Sequence, residues 1–177
     1  MLRTAIFAFA IFLSLWQTHA IAKTGDMTMF DFKNQKPEFW KEHLEPKVYN
    51  ICRENGTERA FSGKYDKFYE KGTYHCNCCG GDFPLFSSDA KYDSGTGWPS
   101  FWKPISDSSV TLTEEKRIFS IFGPRIEVSC SRCGAHLGHV FDDGPDDKTG
   151  KRFCMNSLAL HFVPEGEEAK NSIIAED

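Results

Sequence analysis

No stretch of this 177-residue chain is apolar for long enough to span a bilayer as a helix. The longest run, from Ala5 to Trp16 behind Arg3, has about twelve residues, against the ~20 that a spanning helix needs. A basic excess is missing as well: 21 Lys and Arg face 25 Asp and Glu, for a net charge of −4. Most of that deficit belongs to Glu165, Glu167, Glu168, Glu176 and Asp177 near the C-terminus, so the body is close to neutral. A neutral body lacks the positive footprint of a phosphate-backbone binder, and nucleic acid is not an expected partner. Long helical periodicity is absent between residues 57 and 164, which argues against a helical bundle there. What is present is ordinary for a folded chain, with 40% hydrophobic and 26% charged residues, so disordered and collagen-like classes are excluded. Sixteen Phe, five Tyr and four Trp can fill a sizeable core in a chain about one domain long. Seven cysteines is an odd number, and no all-disulfide framework uses every one of them.

The run after Arg3 ends in Gln17-Thr18-His19-Ala20-Ile21-Ala22, whose small residues make an A-x-A-like cleavage site. Residues 1–22 are therefore expected to be a signal peptide, which makes the mature protein exported, periplasmic or secreted. A leader retained uncleaved would be a membrane anchor, the one route by which a membrane becomes a partner. Residues 23–36 are polar and unpatterned and read as a linker, residues 37–163 as the domain, and residues 164–177 as an acidic flexible tail. Pro37 opens a short helix to Leu44, and Pro46 opens a second to Asn55, with Val48, Ile51 and Cys52 on one face and Gly56 as its stop. Strand chemistry then recurs between turn residues at Thr73–Cys78, Phe83–Phe86, Val110–Thr113, Arg117–Phe122, Arg125–Cys130, Lys151–Met155 and Ser157–Val163. The expected fold is mainly β: antiparallel sheets in a compact barrel-like or tent domain, with short N-terminal helices and a four-cysteine zinc site.

The zinc expectation rests on two C-x-x-C-G units, Cys76 to Gly80 and Cys130 to Gly134. Each turn presents two sulfurs to one side, and two such turns supply the tetrahedron of four thiolates found in structural zinc sites. The ligands are Cys76, Cys79, Cys130 and Cys133; Cys78 offers a second register, and disulfides are the alternative in an oxidising compartment. Cys52, Cys78 and Cys154 remain. Arg152-Phe153-Cys154-Met155-Asn156 reads as a strand with Arg152, Cys154 and Asn156 on one face. A guanidinium beside a thiol favours the reactive thiolate, and the Asn156 amide can donate to a substrate oxygen. Gly134 to Gly144 supplies His136, His139, Asp142 and Asp143 for proton transfer. Trp98, Phe101 and Trp102 can line a pocket for a small apolar group such as a methyl on sulfur. A cysteine hydrolase and a non-catalytic secreted zinc-ribbon module for protein interaction are the competing readings.

Five segments together resemble the B-type methionine sulfoxide reductases: Gly56 to Gly63, the C-x-x-C pair, Gly97-Trp98-Pro99-Ser100-Phe101, Gly138 to Gly144, and Arg152 to Ser157. The resemblance runs in order over about residues 37–163 and implies reduction of methionine-(R)-sulfoxide in oxidised proteins and peptides. It implies Cys154 as nucleophile, and His139, with His136, as donor to the leaving oxygen. Trp98 would pack on the substrate methyl, while Arg152, Asp143 and Asn156 tune charge and orientation. A thioredoxin-like dithiol would regenerate the enzyme, which is expected to act as a monomer. In many members the resolving cysteine lies two residues before the tryptophan; here that residue is Thr96. Cys52 is the expected replacement, with Cys78 behind it.

Overall fold

The computed structural model of the chain describes residues 30–115 and 125–174. Two helices come first, α1 (Pro37–His43) and α2 (Pro46–Arg53), each with proline in the first turn, where its missing N–H costs nothing. The last residue of α2 is Arg53, two residues short of the expected Asn55. Asn55 takes the left-handed conformation at φ 54°, and the Gly56 N–H donates to Asn50 O, six residues back, at 3.0 Å. The buried face of α2 is the expected one, Val48, Ile51 and Cys52.

Nine strands follow among the described residues: β1 (Gly72–Cys76), β2 (Pro84–Ser87), β3 (Lys91–Tyr92), β4 (Ser100–Phe101), β5 (Val110–Glu115), β6 (Arg125–Cys130), β7 (His136–Phe141), β8 (Arg152–Met155) and β9 (Leu160–Pro164). They form two antiparallel sheets, β2-β1-β9 and β3-β4-β8-β7-β6-β5. The expected mainly β class is correct. The barrel-like form is not, because the larger sheet runs open from β3 to β5 among the described residues. Its two-residue strands β3 and β4 were not expected, and neither was β7, whose His and Gly hide the strand pattern. The run Ser157–Val163 divides into a 3-10 turn at Ser157–Ala159 and then β9. The expected strand Arg117–Phe122 and the leader lie outside the described residues.

The core lies between the sheets. Tyr74 of β1 meets Phe101 of β4 edge-on at 5.0 Å, and Phe86 of β2 stacks on Phe101 at 4.5 Å and leans on Phe153 of β8 at 5.9 Å. Aromatic pairs of this kind contribute about 0.5–1.5 kcal/mol each beyond area burial. Both chain ends of the domain are more ordered than their polar composition suggests. In the stretch read as a linker, Phe32 is buried and stacks on Trp40 at 6.1 Å. In the stretch read as a flexible tail, Asn171 donates to Cys79 O at 2.9 Å and Ser172 N–H donates to Gly80 O at 2.8 Å, while Ile173 and Ile174 pack on the core. Two isoleucines and one asparagine thus hold the segment down despite its acidic residues.

Candidate active site and metal centre

The two cysteine turns meet although fifty residues separate them in sequence. Cys76, Cys79, Cys130 and Cys133 are all buried, and their sulfurs lie within 4.8 Å of one another. The Cys76 and Cys133 sulfurs are 3.8 Å apart. A tetrahedron with metal–sulfur bonds of ~2.3 Å has an edge of about 3.8 Å, so the residues present fit a metal ion. Gly80 and Gly134 follow the turns at φ 99° and 69°, a backbone that side chains with a Cβ rarely adopt. Arg53 of α2 donates to Cys133 O at 2.9 Å and stacks over Trp40 at 3.4 Å. Its buried positive charge offsets the thiolates and draws Cys133 toward the charged form, after the hydrogen bonds from Cys130 and the other sulfurs.

Cys78 belongs to neither the tetrad nor the reactive site: it forms a disulfide with Cys52, whose Cα is 6.5 Å away. This corrects the expectation that Cys52 resolves an oxidised Cys154. The helix face that buries Cys52 looks onto the first cysteine turn, and Cys52 does not line the cavity around Cys154. Cys154 is left as the one thiol outside the tetrad and the disulfide.

Register builds the reactive site. His139 of β7 lies directly opposite Cys154 of β8; Glu127 of β6 lies opposite His139, and Ser100 of β4 opposite Cys154. Directly opposed residues project to one face of the sheet, so four strands deliver four functional groups in one row. Arg152, two residues from Cys154, shares that face and pairs in two-pronged fashion with Asp143, Nε and Nη2 each at 2.8 Å. That hydrogen bond holds the Asp143 carboxyl below the usual carboxylate range. A cavity of about 230 Å³ opens above the row, lined among others by Trp98, His139, Arg152, Cys154 and Asn156. Trp98 is fixed edgewise by its Nε1–H, which donates to Glu58 O at 3.1 Å.

Burial pushes the Cys154 thiol above its ordinary value; the Arg152 charge is the largest opposing influence, followed by Thr96 and Ser100. The guanidinium therefore acts in the expected direction, but the closed pocket outweighs it. Thr96 Oγ1, at the position of the missing thiol, lies 4.0 Å from Cys154 Sγ and joins a hydroxyl chain through Ser94 (2.8 Å) to Ser100 (2.7 Å).

His139 sits between two charged groups. Arg125 Nη2 donates to its Nδ1 at 2.8 Å, which leaves Nε2–H to donate to Glu115 Oε1 at 3.0 Å. Burial first, and Arg125 among the charges, lowers the His139 pKa against the pull of Glu115. His136 stands behind it: the rings are 5.3 Å apart, His136 Nδ1 meets Glu127 Oε1 at 2.7 Å, and the ring does not line the cavity. Three residues apart on a regular strand, the two histidines would face opposite sides. The register shift between Val128 and Ser129 opposite β7 brings both to one face.

One further expectation is corrected, for Phe101, and one is narrowed, for Asn156. Phe101 is fully buried in the inter-sheet core and does not reach the cavity. Asn156 lines the cavity, but its amide is committed: Oδ1 accepts from Glu58 N–H at 3.0 Å and Nδ2 donates to Leu137 O at 3.1 Å. It acts as a strut, with one Nδ2 hydrogen left over. Glu58, which sequence reasoning passed over inside Gly56 to Gly63, is the hub of this corner. Besides accepting from Trp98 and donating to Asn156 through its backbone, it accepts at its carboxylate from Ser157 N–H at 2.6 Å and Leu158 N–H at 3.2 Å. Arg125 and Glu115 were also missed, since only strand pairing brings them to His139.

The described residues thus combine one thiol outside the tetrad and the disulfide, an imidazole opposed to it, an arginine–carboxylate pair, and a separate four-cysteine cluster that could hold a metal ion. The SelR domain family model matches residues 44–164, and the chain belongs to that family. It is 55% identical over 127 residues to "Peptide methionine sulfoxide reductase MsrB" of Pseudomonas syringae, covering 72% of this chain and 92% of that protein. The protein of the same name from Methanosarcina barkeri is 55% identical over 130 residues, 73% and 87% of the two chains, and that of Chromohalobacter salexigens 51% over 133 residues, 75% and 96%.

Proposed function

We propose that the protein is a peptide-methionine (R)-S-oxide reductase that acts on oxidised proteins and peptides. The observation that carries this is the direct opposition of Cys154 and His139 across β7 and β8, under Trp98, in a chain of the SelR family. The Cys154 sulfur attacks the sulfoxide sulfur, and the thiol proton passes to the sulfoxide oxygen in the cavity beside His139. The S–O bond to methionine breaks and the oxygen passes to Cys154, which becomes a sulfenic acid. Cys154 is oxidised by two electrons and the sulfoxide is reduced to the thioether. Arg152, held by Asp143, steadies the negative charge of the attacking sulfur; Trp98 supplies the apolar wall for the substrate methyl.

Return to the thiol requires an external dithiol, for which a thioredoxin-like protein is suited. Its first thiol condenses with the sulfenic acid, releasing water and leaving a mixed disulfide; its second displaces Cys154. The support is that the structure pairs Cys52 with Cys78 and puts Thr96 where a resolving thiol would stand. Cys76, Cys79, Cys130 and Cys133 would hold a Zn²⁺ ion, which four thiolates would suit to a structural rather than a catalytic part. Export to an oxidising compartment is supported by the sequence of the leader and by a disulfide between two cysteines outside the tetrad.

The test is reduction of a dabsylated methionine-(R)-sulfoxide peptide with dithiothreitol. The wild-type protein should reduce the R epimer and leave the S epimer, and Cys154→Ser should reduce neither. Activity retained in Cys154→Ser refutes the mechanism.

A further inference from the structure

The reactive cavity, at about 230 Å³, is the smaller of two neighbouring hollows. On the far side of Thr57, which lines both, a groove of about 680 Å³ runs between α2 and the segment 57–64. Its wall includes Lys47, Asn50, Ile51, Ser62 and Lys64, with Leu158 at the base. The lining sets two lysines against one carboxylate, Glu58, whose oxygens are turned to the N–H groups of Ser157 and Leu158, so positive charge is in excess there.

Next in sequence to Ser62 of the groove wall stands Phe61, which is 67% exposed and adopts φ 64°. An exposed bulky aromatic in the left-handed region is unusual, and such strain gathers at functional sites. The cause here is local. Phe61 N–H donates to Gly97 O at 2.7 Å, and a Cβ on Gly97 would lie 2.6 Å from that nitrogen and 2.8 Å from the Phe61 ring. The ring is thus held against the backbone between Thr96 and Trp98, two residues of the reactive cavity, and its next neighbour Ser62 lines the groove.

We propose that this groove, with the exposed Phe61 beside it, seats the polypeptide on one side of the methionine sulfoxide and favours chains with acidic side chains there. The inference rests on the reductase reading above. Its occupant follows from continuity: a polypeptide whose sulfoxide side chain is in the reactive cavity must leave over the cavity rim, and Thr57, which lines both hollows, leads from that rim into the groove, with Phe61 packed on Gly97 nearby. Charge then chooses among polypeptides through Lys47 and Lys64.

The experiment uses the mature, metal-loaded protein and three substrates: N-acetyl-methionine-(R)-sulfoxide methylamide, a nonapeptide with central methionine-(R)-sulfoxide flanked by Glu, and the same peptide flanked by Gln. At low salt the Glu peptide should exceed the Gln peptide in kcat/KM by about five- to ten-fold, and in Lys47→Glu/Lys64→Glu that preference should vanish or invert. Phe61→Gly, which relieves the strained φ and so should fold, should lower the ratio of either peptide to the small amide by about five-fold. Ratios that stay at the wild-type value in both variants overturn the groove while leaving the reductase intact. Equal losses on all three substrates also overturn it, because they indicate a structural effect. A wild-type protein that reduces none of the three fails the reductase reading, and the groove falls with it.

Discussion

At Cys154 two influences oppose each other, and burial wins over the Arg152 charge. Alkylation of Cys154 by iodoacetamide, followed by peptide mapping, should therefore accelerate with pH through a midpoint above that of an unperturbed thiol, ~8.5. Arg152→Ala removes the largest opposing influence and should carry the midpoint higher still. A plateau reached below neutral pH would contradict the balance. At His139 the sign runs the other way. Arg125 donates to Nδ1, and protonating that nitrogen would set two cations face to face. The lowered pKa of His139 means a neutral imidazole at pH 7, with its remaining N–H on Glu115. Arg125→Ala should raise the His139 midpoint seen by NMR, and Glu115→Gln should lower it, since Glu115 is the largest influence favouring the charged ring. Midpoints unmoved in both variants would mean that burial alone sets the value.

Between elements, the disulfide from α2 to the first cysteine turn closes a loop of 26 residues. A closure of that size stabilises by ~3 kcal/mol in the chain-entropy account. Cys52→Ser should therefore lower the unfolding free energy by about 2–4 kcal/mol, read in urea, while turnover with thioredoxin persists. Loss of turnover at retained stability would return Cys52 to the resolving role. Glu58 joins the 57–64 segment to the turn after β8 through two N–H groups. Glu58→Ala should cost about 1–3 kcal/mol by leaving them without acceptors, with Trp98 still anchored, because its partner is the backbone oxygen of residue 58. What was legible in the sequence follows the same division. Cysteine spacing, the prolines opening α1 and α2, and the alternation in β6 and β8 are local signals, and they placed the tetrad and Cys154. The pairing of Cys52 with Cys78, the meeting of Arg125 and Glu115 at His139, and the seating of Phe101 in the core depend on which strands become neighbours. The bulge that turns His136 toward His139 has no signature in the residues Gly134 to Gly144.

For the whole molecule, the tetrad joins β1 and its following turn, in the smaller sheet, to the end of β6 and its turn, in the larger one. The Phe86–Phe101–Tyr74 contacts seal the same junction from inside. Metal removal should therefore loosen the packing of sheet on sheet rather than one local loop. Chelation should abolish the cooperative thermal transition while part of the far-ultraviolet β signal remains. The C-terminal segment belongs to this junction as well. Asn171 satisfies Cys79 O and also donates to Asp82 at 2.8 Å, and Asp82 in turn pairs with Arg132 of the second turn at 2.5 Å. Ser172 N–H takes Gly80 O. One segment thus ties the carbonyls behind the first cysteine turn to a charge on the second, and partners of this kind, one step removed from the ligands, typically alter metal affinity ten- to a hundred-fold. A chain ending at residue 164 keeps all four ligands and the whole reactive row. It should nevertheless release zinc to a chromogenic chelator about ten-fold faster than the full chain, and Asn171→Ala should account for most of that change. Equal release rates would show that the tail lies over the centre without holding it. A large change in the kcat of the truncated, metal-loaded chain would show that the junction between the sheets also sets the row at Cys154.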